Sequence, residues 1–137
     1  AELICDGFHI HPAVVNAVHR MFAEKLVIIS DSLRCAGMPD GEYELGGQQI
    51  IVRDGKATLF DGTIAGSSTN LMQELRNVVS FGIPLEDAVY ALTEAPARSI
   101  GCFDTIGSLA EGKQADFLIV GEKLDLQAVY IDGERVK

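Results

Sequence analysis

Basic residues are scarce in this sequence. Eleven Lys and Arg stand against twenty Asp and Glu, a formal net charge of −9. Nucleic acid and anionic membrane both need clustered cations, so neither is expected as a partner. A small anionic ligand stays open, because two or three local donors suffice to bind one. No apolar run approaches the roughly 20 residues of a membrane helix. No basic segment leads into an apolar one, so no signal peptide is expected. Cysteine is sparse and odd in number: Cys5, Cys35 and Cys102. No pair has metal or redox spacing, and free thiols in a reducing cytoplasm are the plain reading. Cys35 follows Asp31 closely enough to lie near a site, but no partner base is evident for a nucleophile.

What is present has the makings of an α/β protein. A chain of 137 residues is long enough for one domain. Only Ala1 and Glu2 precede the first apolar residues, so the chain reads as part of something longer. Residues 2–6 suggest a strand. His11-Pro12 opens a helix, since Pro suits the first helical position. That helix is expected to run to about Glu24, with Val14, Val15, Val18, Met21 and Phe22 on one side. Residues 26–30 are a continuous apolar run, as in a strand covered on both faces. The order strand, helix, strand is that of a βαβ unit.

From 32 to 66 the character changes. Pro39-Asp40-Gly41, Gly46-Gly47, Asp54-Gly55 and Asp61-Gly62 are closely spaced turn signals. Between them Glu42–Leu45, Gln49–Arg53 and Lys56–Phe60 suggest short antiparallel strands, a hairpin insertion at about 42–60. A helix is expected after Ser68-Thr69-Asn70, with Leu71, Leu75, Val78 and Val79 on one face, ending at Gly82 before Pro84. A second covers about 86–93, and Pro96 is expected to break it. Asp116–Val120, Ala128–Ile131 and Glu134–Val136 suggest strands. Two parallel strands and two antiparallel groups do not make a closed core.

The candidate chemistry lies at strand ends. Asp31 closes the apolar run Leu26–Ser30, and Asp6-Gly7-Phe8-His9 closes Leu3-Ile4-Cys5. In parallel α/β proteins chemistry sits at the carboxyl ends of strands. By position Asp31 is a cap, an ion-pair partner or a general acid/base, and these stay open. His9 and His11 have the spacing of a metal-binding pair, set against a helix N-cap for His11 and a loop donor for His9. Thr63 to Ser68 is rich in small residues that let a ligand approach the backbone, or that simply cap a helix. The turn Glu111 to Asp116 has no obvious chemistry.

Taken together, Ile4–His9 through Pro12, Leu26–Ser32 with Ala36–Gly41, Gly62–Ser68, and Pro96-Ala97-Arg98 through Gly107-Ser108-Leu109 to Ala115-Asp116 resemble the C-terminal part of the N-acetylglucosamine-6-phosphate deacetylase family, amidohydrolases. The resemblance implies the last two strands of a TIM (β/α)8 barrel over residues 1–100, and C-terminal strands of a small β-sandwich over 101–137. It implies Asp31 as the catalytic acid/base, and Asp6, Gly7, Phe8, His9, Ile64, Ala65 and Gly66 as contacts to a sugar phosphate. It implies a divalent metal, zinc or similar, whose ligands lie upstream of this chain, so the chain alone is expected to be inactive. A cytoplasmic homo-oligomer is expected. The rivals are another amidohydrolase, dihydroorotase-like or deaminase-like, and a non-catalytic module that self-associates through its hairpins and strand edges.

Overall fold

The computed structural model describes residues 1–137. Strand β1 (Glu2–Ile4) is followed by helix α1 (Pro12–Phe22), a 3-10 turn (Ala23–Lys25) and strand β2 (Val27–Ile29). The two strands pair in parallel, from Glu2 with Val27 to Ile4 with Ile29. Pro12 occupies the first helical turn, and His11 caps α1 by accepting from Ala13 N–H through Nδ1 at 3.2 Å. Within this chain only part of the apolar side of the helix is covered. Val15 is fully buried, whereas Val14, Met21 and Phe22 are exposed. A two-stranded sheet is only wide enough to cover one row of side chains.

An antiparallel sheet follows, in the order β3 (Gly41–Leu45), β4 (Gln48–Arg53), β5 (Lys56–Leu59) and β6 (Ile64–Ser67). The first three are the expected hairpins. The fourth was not expected: Ile64–Ser67, within the small-residue segment before the next helix, is a strand. Its small residues hide its β character, since Gly and Ser score poorly as strand formers. A bulge sits between Ala57 and Thr58, so Ala57 faces Gly66, Thr58 faces Ile64, and Ala65 is left over. A parallel bridge between Ser32 and Ser67 ties this sheet to the segment leaving β2.

Helices α2 (Leu71–Ser80), α3 (Leu85–Leu92) and α4 (Glu94–Ser99) then cover the parallel pair. Asn70 caps α2 by accepting from Gln73 N–H at 3.0 Å. Pro96 does not end a helix; it sits in the first turn of α4, where its missing N–H costs nothing. The last sheet is β7 (Phe117–Val120), β8 (Leu126–Ile131) and β9 (Glu134–Arg135), in that order. No helix is long and apolar enough to cross a membrane.

Two cores result. One joins Cys5, Val15, Leu26, Ile28, Leu75, Val78, Ile83, Ala88 and Ala91 beneath the helices. The other joins Cys35, Ile50, Val52 and Ala57 inside the hairpin sheet. Cys35 is therefore a packing residue, 3 % exposed, and not part of a reactive site. Gly66 lies where β6 meets the segment after β2. Its φ is +144°, and a Cβ there would stand 2.8 Å from Leu33 Cδ2. Gly66→Ala is expected to cost about 2–5 kcal/mol, from backbone strain and overpacking together. Urea unfolding measures this; a midpoint equal to wild type would refute the close contact.

Candidate active site at the strand ends

The parallel register sets the site. Ile4 and Ile29 are the last paired residues of β1 and β2, so Asp6 and Asp31 leave the sheet at equivalent positions on its carboxyl edge. Asp6 then folds the chain back on itself. Its Oδ1 accepts from Phe8 N–H at 2.9 Å and His9 N–H at 2.8 Å, and its Oδ2 meets His9 Nδ1 at 2.7 Å. An Asx turn of this kind is a local device that Asp provides readily. Gly7 is required at its corner: φ is +75°, and a Cβ would press on Phe81 at 3.2 Å. With Nδ1 bonded to the carboxylate, the Nε2 of His9 is left to meet a ligand.

Burial alone pushes the Asp6 carboxyl up. The bonds from His9, backbone and ring, and from Phe8 N–H outweigh it and hold the group below the usual carboxylate range. The Phe8 ring packs edge-on to His9, centroids 5.6 Å apart, and Lys56 Nζ lies 5.0 Å from the Phe8 centroid. The β4–β5 hairpin thereby brings a cation to the Asp6–His9 turn.

Asp31 is exposed and has φ +49°, a left-handed conformation that Asp tolerates at modest cost. Its carbonyl accepts from Ser67 N–H at 3.1 Å, and Leu33 N–H donates to the Ser67 carbonyl at 2.8 Å. Asp31 is thus held beside Gly66 and Ser67 by backbone pairing. Ala65 lies at the bulge, half-buried, and Ile64 beyond it is 42 % exposed.

Glu74 is the residue that sequence reasoning missed. It is fully buried on α2. Its Oε2 accepts from Cys5 N–H at 2.8 Å, and its Oε1 accepts from the Thr69 hydroxyl. Thr69 in turn meets Ser67 Oγ at 2.6 Å, and the Thr69 carbonyl accepts from Ser32 Oγ at 2.6 Å. The signal was present: Glu74 shares a helix face with Leu71, Leu75 and Val78, and a charge there must be paired. Burial pushes the Glu74 carboxyl up. The Thr69 hydroxyl pulls it back, the charge on Asp6 adds to the rise, and Cys5 N–H and His9 oppose it; the net is upward. Cys5 is pushed up to about 12, by burial first and then by Glu74 and Asp6, so it is no nucleophile.

Other candidates fall away. His11 is a helix cap, as one of its two readings had it, so His9 and His11 do not form a metal pair. His19 Nε2 pairs with Asp87 at 3.1 Å. No three His, Cys, Asp or Glu side chains converge on one point. The side chains of this chain therefore do not by themselves fit a divalent metal.

The amidohydrolase family model matches residues 12–136. The chain belongs to the amidohydrolase family. Among its members, the N-acetylglucosamine-6-phosphate deacetylase of Vibrio furnissii is 33 % identical over 98 % of this chain and 34 % of its own length. An N-acetylgalactosamine-6-phosphate deacetylase of Escherichia coli is 34 % identical over 97 % of this chain and 36 % of its own length. A solved structure of a mutant N-acetylglucosamine-6-phosphate deacetylase from Mycobacterium smegmatis, in complex with N-acetylglucosamine 6-phosphate, superposes with a TM-score of 0.90. It is 34 % identical and covers 98 % of this chain and 37 % of its own. The chain thus spans about a third of the length of these amidohydrolases, and its mixed α/β fold is theirs.

The Asp6 turn has a pH signature. A carboxyl held low adds stability above its unfolded value, near pH 4, and loses it as pH falls through the lower folded value. Asp6→Asn is expected to cost about 1–3 kcal/mol at neutral pH, the worth of hydrogen bonds to a charged acceptor. The gap to wild type should close below about pH 4. Urea unfolding on both sides of that pH measures it, and a gap of constant size would contradict a charged Asp6.

Proposed function

We propose that the protein carrying this chain removes the acetyl group of N-acetylglucosamine 6-phosphate, releasing acetate and glucosamine 6-phosphate. The observation that carries this reading is the placement of Asp6–His9 and Asp31 at equivalent ends of two parallel strands, with Gly66 and Ser67 stitched alongside. The deacetylase relatives support it. In this reading β1, α1 and β2 supply the last two strands of a (β/α)8 barrel, whose chemistry gathers at that edge. Residues 1–100 are barrel with the 42–60 hairpins inserted, and residues 101–137 join a small β-sandwich.

Asp31 acts as general base and then as general acid. A water oxygen attacks the acetamide carbonyl carbon while Asp31 takes a proton from that water. As the C–N bond breaks, Asp31 returns the proton to the amine nitrogen, which leaves poorly otherwise. The Nε2 of His9, set by Asp6 and Gly7 and flanked by Phe8, contacts the sugar phosphate. The backbone of Ile64, Ala65 and Gly66 lies along the sugar. A divalent metal, zinc or a similar ion, supplies when bound a water that ionises near neutral pH; its ligands belong to residues outside this chain.

The galactosamine epimer is a second reading, favoured by the Escherichia coli relative. Acetate release by the intact protein from both N-acetylhexosamine 6-phosphates, and turnover of dihydroorotate, separates the readings. Asp31→Asn is expected to lower kcat by about 10²–10⁴ with little change in KM. Retention of more than about a tenth of the turnover would remove Asp31 from the chemistry.

Three free cysteines suit a reducing compartment, and we assign the protein to the cytoplasm. Strand β7 leaves Leu118, Ile119 and Val120 exposed at 50, 43 and 39 % on an open edge. Such an edge invites pairing, and this chain by itself is expected to form a homo-oligomer. Light scattering that gives a monomer mass at high concentration would exclude it.

A further inference from the structure

Glu74 takes no part in the reaction described, yet it bonds the end of β1 directly and reaches the segment carrying Asp31 through Thr69 and Ser67. We propose that Glu74 is a positioning residue, whose carboxylate joins the Cys5 N–H to the Thr69 hydroxyl and so holds the Asp6–His9 turn in place against the Asp31–Ser67 segment. Its kinetic consequence rests on the deacetylase reading; its structural consequence does not.

The geometry has two arms. On one side, Cys5 N–H lies just past the last residue of β1 that pairs with β2. It finds its acceptor in Glu74 Oε2 at 2.8 Å instead. The next residue is Asp6, which builds the turn holding His9. On the other side, the Thr69 hydroxyl donates to Glu74 Oε1 and meets Ser67 Oγ at 2.6 Å. Thr69 N–H also donates to Ser67 Oγ at 3.0 Å, and Ser67 N–H donates to the Asp31 carbonyl at 3.1 Å. One side chain therefore sits between the histidine turn and the backbone of the candidate acid/base.

Both contacts are accepted by the carboxylate, so the ionised form holds both arms. The titratable groups that face it are Asp6, His9 and Cys5, all from the end of β1; β6 and the segment after it bring hydroxyls. Its proton affinity is raised by burial and by Asp6. Acidification should thus protonate Glu74 before most carboxylates and loosen the Thr69 arm.

Glu74→Gln tests this in the intact protein, because the amide keeps the volume and one acceptor. Amide hydrogen exchange is the first readout. Exchange at Phe8, His9 and Ser67 is expected to rise about tenfold, while Val52 and Ala57 in the second core stay unchanged. The second is the pH profile of kcat/KM. At neutral pH the variant is expected to lose about tenfold, as small displacements of a site can cause, and to keep only the acidic limb that Asp31 imposes as general base, without the part Glu74 adds in wild type. Unchanged exchange, a uniform rise across both cores, or a wild-type pH profile would each overturn the proposal. If wild type turns over neither N-acetylhexosamine 6-phosphate, the deacetylase reading falls, and exchange alone decides the role of Glu74.

Discussion

A carboxylate with no access to water lies where β1, β6 and α2 converge. Taking such a group out of water costs several kcal/mol unless its lone pairs are filled. Here they are filled by a backbone N–H that the short β1–β2 ladder leaves over and by a hydroxyl from the segment after β6. The same arrangement settles two separate debts: the charge is solvated by the protein, and Cys5 N–H is not buried alone. Because the donors come from different strand ends, satisfying Glu74 also fixes how those ends sit relative to one another. The Asp6 turn, the Asp31 backbone and the Gly66 strand all hang from this point.

The charges around it are sorted by environment. Asp6 gathers donors from two backbone amides and an imidazole and stays easily ionised. Glu74, buried beside it, is harder to ionise. Two carboxylates close together with affinities pushed apart, and a histidine between solvent and one of them, are what functional sites commonly show. Asp31 is different in kind. It is exposed, tied only through its backbone, and free to meet a ligand. In the proposed reaction, a rigid frame and an open carboxylate divide holding from reacting.

Much of the frame was legible beforehand. Pro12 marked the start of α1, Asn70 the start of α2, and the Asp-Gly and Gly-Gly pairs the hairpin turns. These are local signals, decided within a few residues. The equivalent standing of Asp6 and Asp31 was legible too, since each closes an apolar run. What misled was also local. Ile64–Ser67 has the composition of a loop and becomes a strand because β5 and the segment after β2 offer it partners on both edges. Val14, Met21 and Phe22 do have the periodicity of a buried face, and the two strands that this chain supplies leave them exposed.

By itself, then, the sequence determined the β–α–β order, the helix ends, the hairpins and the strand-end positions of Asp6, His9 and Asp31, because caps, turns and periodicity act between near neighbours. Only the tertiary structure decided that Cys35 is core, that His9 turns its Nδ1 to Asp6, that β6 is a strand, and that Glu74 is a buried tie. Glu74 and Cys5 stand 69 residues apart, and nothing in either segment names the other. A hydrogen bond across that span exists because the packing of α2 on the parallel pair leaves one buried donor and one buried acceptor within reach.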